Sequence, residues 1–126
     1  MKTWSAIWVG ALIAVSLQPC RPHATAVLYQ FHRAFHLAAF GLTALVLWRL
    51  FDLARGTALP PRFPSAAWIP ALLATIALGG IIEVSQHLIY RNGMEWGDVR
   101  DDALSASAAI LLGHAARAAW TVRESL

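Results

Sequence analysis

The sequence predicts an all-α fold: a polytopic membrane protein built as a bundle of four transmembrane helices. Three observations predict it. Hydrophobic residues make up 58% of the 126 residues and charged residues only 13%, the balance of a chain dissolved in lipid rather than water. Four apolar segments, residues 4–17, 34–54, 66–90 and 103–120, follow one another. The last three approach or exceed the ~20 residues needed to cross a hydrocarbon core of ~30 Å. Turn-forming and charged residues separate them. At this length the chain is a single domain, 1–126.

The first segment, residues 4–17, would rise only about 21 Å as a helix. It has a rival reading, because Met1 and Lys2 before a short apolar stretch also open secretory signal peptides. Cys20 stands where a lipoprotein signal would carry a cysteine. Gln18 and Pro19 occupy positions that usually hold small residues, and no Ala-x-Ala-like site follows, so a retained first helix is favoured. Cys20 is the single cysteine, which excludes an intramolecular disulfide and a cysteine-based zinc cluster.

The second segment, residues 34–54, ends before a Pro-rich turn over 57–64 that cannot continue a helix. Pro70 falls in the first turns of the third helix, where a missing N–H does least harm. A short loop carrying Gly93 and Gly97 joins the third helix to the fourth. Asp98 stands near the start of the fourth, where a carboxylate can cap exposed amides.

Charge placement sets the expected topology. With four spans, one side takes Lys2, Arg49, Arg55, Arg62, Arg117 and Arg123, and the other takes Arg21, Arg33, Arg91 and Arg100. The asymmetry points both termini to the cytoplasm of a plasma membrane. The net charge of +3 forms no basic run and implies no nucleic acid; it reports topology and attraction to lipid surfaces. Of the seven acidic residues, Glu83, Glu95, Asp98, Asp101 and Asp102 gather at the outer side. At the inner side Arg49 beside Asp52, and His114 with Arg117, are expected to serve structure and to meet head groups.

Glu83 is the residue that demands an explanation. It lies inside the apolar run 66–90, and a carboxylate at mid-helix costs roughly 2.5–3.5 kcal/mol by insertion scales. Residues three and four apart share a helix face. Glu83, Gln86, His87 and Tyr90 therefore form one stripe, His32 and His36 a second, and Asp98, Asp102 and Ser105 a third. Packed inward, the stripes would make a polar chamber open to the outer surface. Gly79, Gly80, Ser105, Ala109 and Gly113 would permit the close approach. Glu83 is too deep to reach water, so neighbouring side chains should satisfy it, with His36 and Arg91 the leading candidates.

These elements resemble the VanZ-like family of small bacterial membrane proteins. In that family an Asp-Lys-x-x-His-Phe stretch opens an early helix, Glu-x-x-Gln and an Arg follow on a later one, and Asp-x-x-x-Asn opens the last. Here the first element is His32, Arg33 and His36, the second Glu83 and Gln86 with Arg91, and the third Asp98 with Asp102 in place of Asn. The resemblance covers roughly residues 30–115, with Gly113 in a glycine-bearing last helix. Its founding member is associated with resistance to the glycopeptide teicoplanin. The resemblance implies action at the outer leaflet on envelope lipids or lipid-linked glycans.

Three readings of the polar residues compete. In the first they bind a polar head group, with Arg33 and Arg91 pairing to phosphate or carboxylate and Gln86 and Asp98 adding directional bonds. In the second the protein modifies such a lipid, with Glu83 as acid or base and His36 or His87 as partner. In the third His32, His36, Glu83, His87 and Asp98 hold a metal; this ranks last, because His-x-x-x-His and Glu-x-x-x-His pairs are common on helices. A purely structural role competes with all three, as polar bonds between membrane helices contribute about 0.6–2 kcal/mol. His32 and Asp102 are expected to be structural, and Asp101 and Glu95 to be solvated loop charges. No Ser-His-Asp order, phosphate loop or activated cysteine is present, and the sequence names no cofactor.

Overall fold

The computed structural model describes residues 7–13, 26–55, 66–91 and 95–124. Cys20, Arg21, the turn at 57–64, Asn92 to Met94 and the side chain of His32 lie outside the described residues. The described chain is all helical: α1 (7–13), α2 (Ala26–Ala54), α3 (Trp68–Tyr90) and α4 (Trp96–Glu124).

Two helical stretches, Arg33–Ala54 and Trp68–Tyr90, are long and apolar enough to cross a membrane. Only 33% and 28% of their most apolar windows is buried inside the bundle, whereas the core helix of a soluble protein is buried over most of its length. Leu42, Leu53, Leu73, Ile81 and Leu88 all face outward. Exposed large apolar side chains on both helices suit hydrocarbon. Helix α4 is long, at 29 residues, but its Ala- and Ser-rich centre does not reach the same apolarity.

Two helices begin earlier than their apolar segments. Helix α2 starts at Ala26 rather than 34, and α4 at Trp96 rather than 103. Hydropathy marks where a helix becomes apolar, not where it begins. The early part of α4 carries Asp98, Asp101 and Asp102, and carboxylates near a helix N-terminus offset the dipole there. This corrects the expectation for Asp101, which is helical.

Helices α2, α3 and α4 each pack on the other two. Contacts between α2 and α4 advance together along both chains, from Arg33–Asp101 to Asp52–Arg117, so these helices run parallel. Helix α3 runs antiparallel to them, its start packing near Trp48 and its end near Ala39. One apolar cluster joins Ala44, Trp48, Ala67, Ala71, Ala106 and Ile110. The other brings Leu12 of α1 against Ala39, Phe40 and Ile82. Trp8 of α1 also donates from Nε1 to Thr43 Oγ1 at 3.1 Å.

Glycines set how closely the helices approach. A Cβ on Gly113 would lie 2.7 Å from Cζ3 of Trp48, and Trp48 is fully buried, so α2 and α4 can meet there only over a glycine. A Cβ on Gly79 would lie 3.0 Å from Asp102 Oδ2 and 3.3 Å from Phe40 Cε1. The absent side chain on α3 is what admits the Asp102 carboxylate. The buried hydroxyls of Thr43 and Thr75 donate to Ala39 O and Ala71 O one turn back, at 2.7 and 2.8 Å, which satisfies them inside their own helices.

Candidate functional site

The starts of α2 and α4 and the end of α3 meet at one end of the bundle. Three ionisable side chains are buried there, one from each helix: His36 at 8% exposure, Glu83 at 6% and Asp102 at 4%. Burial of such groups is costly unless they are compensated, and each has a distinct compensation.

Glu83 Oε1 accepts the backbone N–H of Glu95 at 2.6 Å. The expectation of side-chain partners is corrected in part: the hydrogen bond comes from the amide just before α4 rather than from Arg91, while the Glu83 charge still acts on His36. The physical reason is local. Arg91 ends α3 in the left-handed conformation, φ 54°, with its N–H bonded to His87 O at 2.9 Å. This turns the chain away from the α3 axis, and the Arg91 side chain is exposed.

His36 faces α4. Its Nδ1 lies 3.6 Å from Asp102 Oδ1, a distance for charge pairing rather than a direct hydrogen bond, and its ring stacks on Phe40 with centroids 5.7 Å apart. Asp102, expected to be structural, is thus the carboxylate facing the candidate histidine. Its Oδ1 has no hydrogen-bond partner among the described residues.

At the rim Arg33 reaches α4 rather than standing free for a phosphate. Its Nε donates to Asp101 Oδ2 at 2.8 Å and its Nη2 bonds the same oxygen. Arg100 Nη2 donates to Asp101 Oδ1 at 3.0 Å. Asp101 is accordingly buried and paired, not a solvated loop charge. The Arg100 and Arg33 guanidiniums hold its carboxyl below the usual aspartate range. Ser105 Oγ, one turn further along α4, donates to Leu37 O.

Gln86 and Asp98 are half-buried, Asp98 in the first turn of α4 and Gln86 near the end of α3, while His87 is exposed. The structure thus brings His36, Glu83, Asp102, Arg33 and Asp101 to one end and leaves Arg91 and His87 at its surface. Among the described residues no group of three or more His, Cys, Asp or Glu side chains is placed to hold a metal ion.

The opposite end holds a second network that sequence reasoning paired differently. Asp52 accepts from Arg117 Nη2 at 2.9 Å, and Arg49 is exposed. The Arg117 guanidinium lies 4.2 Å from the Trp48 ring centroid. His114 packs on Trp48 at 4.5 Å and edge-on to Trp68 at 6.1 Å. The signal was available in the i, i+4 pairs Trp48/Asp52 and Gly113/Arg117, which put these residues on matching faces.

Comparison with known proteins finds no matching family model, no matching curated protein and no matching solved structure.

Proposed function

We propose that this chain is a VanZ-like integral protein of the bacterial plasma membrane, a four-span bundle with both termini cytoplasmic. Its polar end binds the head group of an envelope lipid or lipid-linked glycan at the outer leaflet. The observation that carries the proposal is the burial of His36, Glu83 and Asp102 together at one end of an apolar bundle. Ionisable groups at membrane depth face protein or a polar cavity and mark working sites by default. The sequence elements around His36, Glu83, Gln86, Arg91 and Asp98 support the family reading.

Arg91 is exposed beside this cluster and provides a guanidinium for phosphate or carboxylate. Arg33, held by Asp101, frames the entrance. A second reading, modification of the bound lipid, is favoured by one observation: the carboxylate of Asp102 faces the His36 imidazole. A carboxylate so placed stabilises the imidazolium formed when a histidine acts as general base. In that reading His36 is the base and Glu83 fixes the α3–α4 connection.

Glu83→Leu tests the proposal. It removes the buried carboxylate together with its bond to the Glu95 amide, so the comparison is made at equal membrane abundance, where glycopeptide susceptibility or an envelope-stress response should change to that of cells lacking the protein. A full wild-type phenotype at equal abundance would reduce Glu83 to a structural tie.

A further inference from the structure

We infer that His36 and Asp102 form a proton-operated latch between α2 and α4. It goes beyond head-group binding and stands whether or not a lipid is the ligand. Three ties join the outer ends of these parallel helices: Arg33 to Asp101, His36 to Asp102, and Ser105 to the Leu37 carbonyl. The guanidinium keeps its charge at every physiological pH and the hydroxyl carries none. Of these three donors the imidazole alone changes charge between pH 5 and 8, its unperturbed value being about 6.5.

The geometry makes that change consequential. With a proton on His36, the imidazolium 3.6 Å away compensates the Asp102 carboxylate. Without it Asp102 becomes a buried charge whose Oδ1 has no hydrogen-bond donor among the described residues, a state that strongly disfavours the closed arrangement. Among the described residues the surroundings do not supply a replacement. From α3 the facing charged group is Glu83, already bonded to the Glu95 amide; His87 and Arg91 are exposed at the end of that helix. From α4 come Asp98, Asp101 and Arg100, and from α2 Arg33. Both arginines are held by Asp101. The described part of α1 has no ionisable side chain.

The α2–α4 contact at this level is close but carries no large interlocking side chain, so the ties decide whether it holds. Gly41 faces Ser105 and Ala109, so the helices touch through small groups rather than interlocked large ones. The apolar lock at Trp48 and Gly113 lies at the other end of the bundle. The sign follows from linkage: the closed form holds the proton, so acid favours closure, and rising pH through the histidine titration favours separation of the outer ends.

The test uses the full chain in lipid nanodiscs, with Cys20→Ser and spin labels at Phe35→Cys and Leu104→Cys, both exposed positions on the two helices. The interlabel distance is measured from about pH 5 to about pH 8.5, a range that brackets histidine titration. The latch predicts a short, narrow distribution at acid pH that shifts to longer distances as pH rises. His36→Gln and Asp102→Asn should each abolish the shift. Histidine-selective nitrogen-15 spectra of the unlabelled wild-type chain give a readout that needs no variant, and one imidazolium should deprotonate along with the distance change. A distribution unchanged over the range would overturn the latch. So would a shift that persists in His36→Gln, or histidine signals of which none tracks the distance.

Discussion

Asp102 of α4 faces His36 of α2 at 3.6 Å, with both side chains withdrawn from solvent and the carboxylate seated over Gly79 of α3. One contact therefore involves all three long helices. Replacing Gly79 by Ala would put a methyl 3.0 Å from Asp102 Oδ2 and 3.3 Å from a buried Phe40 ring, so it should displace the carboxylate from His36.

Gly113→Ala should destabilise the bundle by about 1–3 kcal/mol, the usual cost of overpacking, because the new methyl meets the immobile Trp48 ring at 2.7 Å. Gly80→Ala is the matched control, since a Cβ there meets nothing within 4 Å. Thermal unfolding of both variants in detergent micelles checks this. Equal melting temperatures would show that the α2–α4 crossing does not depend on the glycine.

Trp8→Phe should cost about 0.5–1.5 kcal/mol, the net worth of an ordinary hydrogen bond, by removing the donor to Thr43 Oγ1. The contact, with Leu12 buried against Phe40 and Ile82, makes α1 part of the bundle. N-terminal sequencing of protein purified from membranes should find residues 7–13 present. A chain beginning at or near Cys20 would show that the segment is a removed signal.

Acid should weaken the Arg33–Asp101 tie. Pairing with Arg100 and Arg33 depresses the Asp101 carboxyl in the folded chain, so its contribution to stability is complete above its ordinary value of about 3.9. That contribution is lost as pH falls through the lower folded value. Acid unfolding of Asp101→Asn should lack this component and begin from a less stable protein at neutral pH. An unchanged acid profile would mean the tie contributes nothing.

The sequence made part of this site legible. Glu83 and His36 stand out because an ionisable residue in an apolar run must be compensated, and the structure buries both. What it did not disclose is register. Whether Arg33 meets Asp101 or a ligand depends on where Gly41 and Gly113 let α2 and α4 approach, a tertiary property absent from local spacing. Asp101 looked solvated because Arg100, Asp101 and Asp102 in succession resemble a loop. The helix start at Trp96 turns Asp101 and Asp102 inward. Glu83 drew its partner from a backbone amide, which no pattern of side chains announces.

Native mass spectrometry of the full chain, extracted gently from its membrane, tests most directly whether the buried polar end is a head-group site. The proposal predicts one retained lipid or lipid-linked glycan per chain. Occupancy should fall about tenfold or more in Glu83→Leu and Asp102→Ala, corresponding to ~1.4 kcal/mol of lost binding. Asp52→Asn, at the opposite end of the bundle, should retain it. A wild-type chain that carries no such molecule, or equal occupancy in all four proteins, would contradict the account.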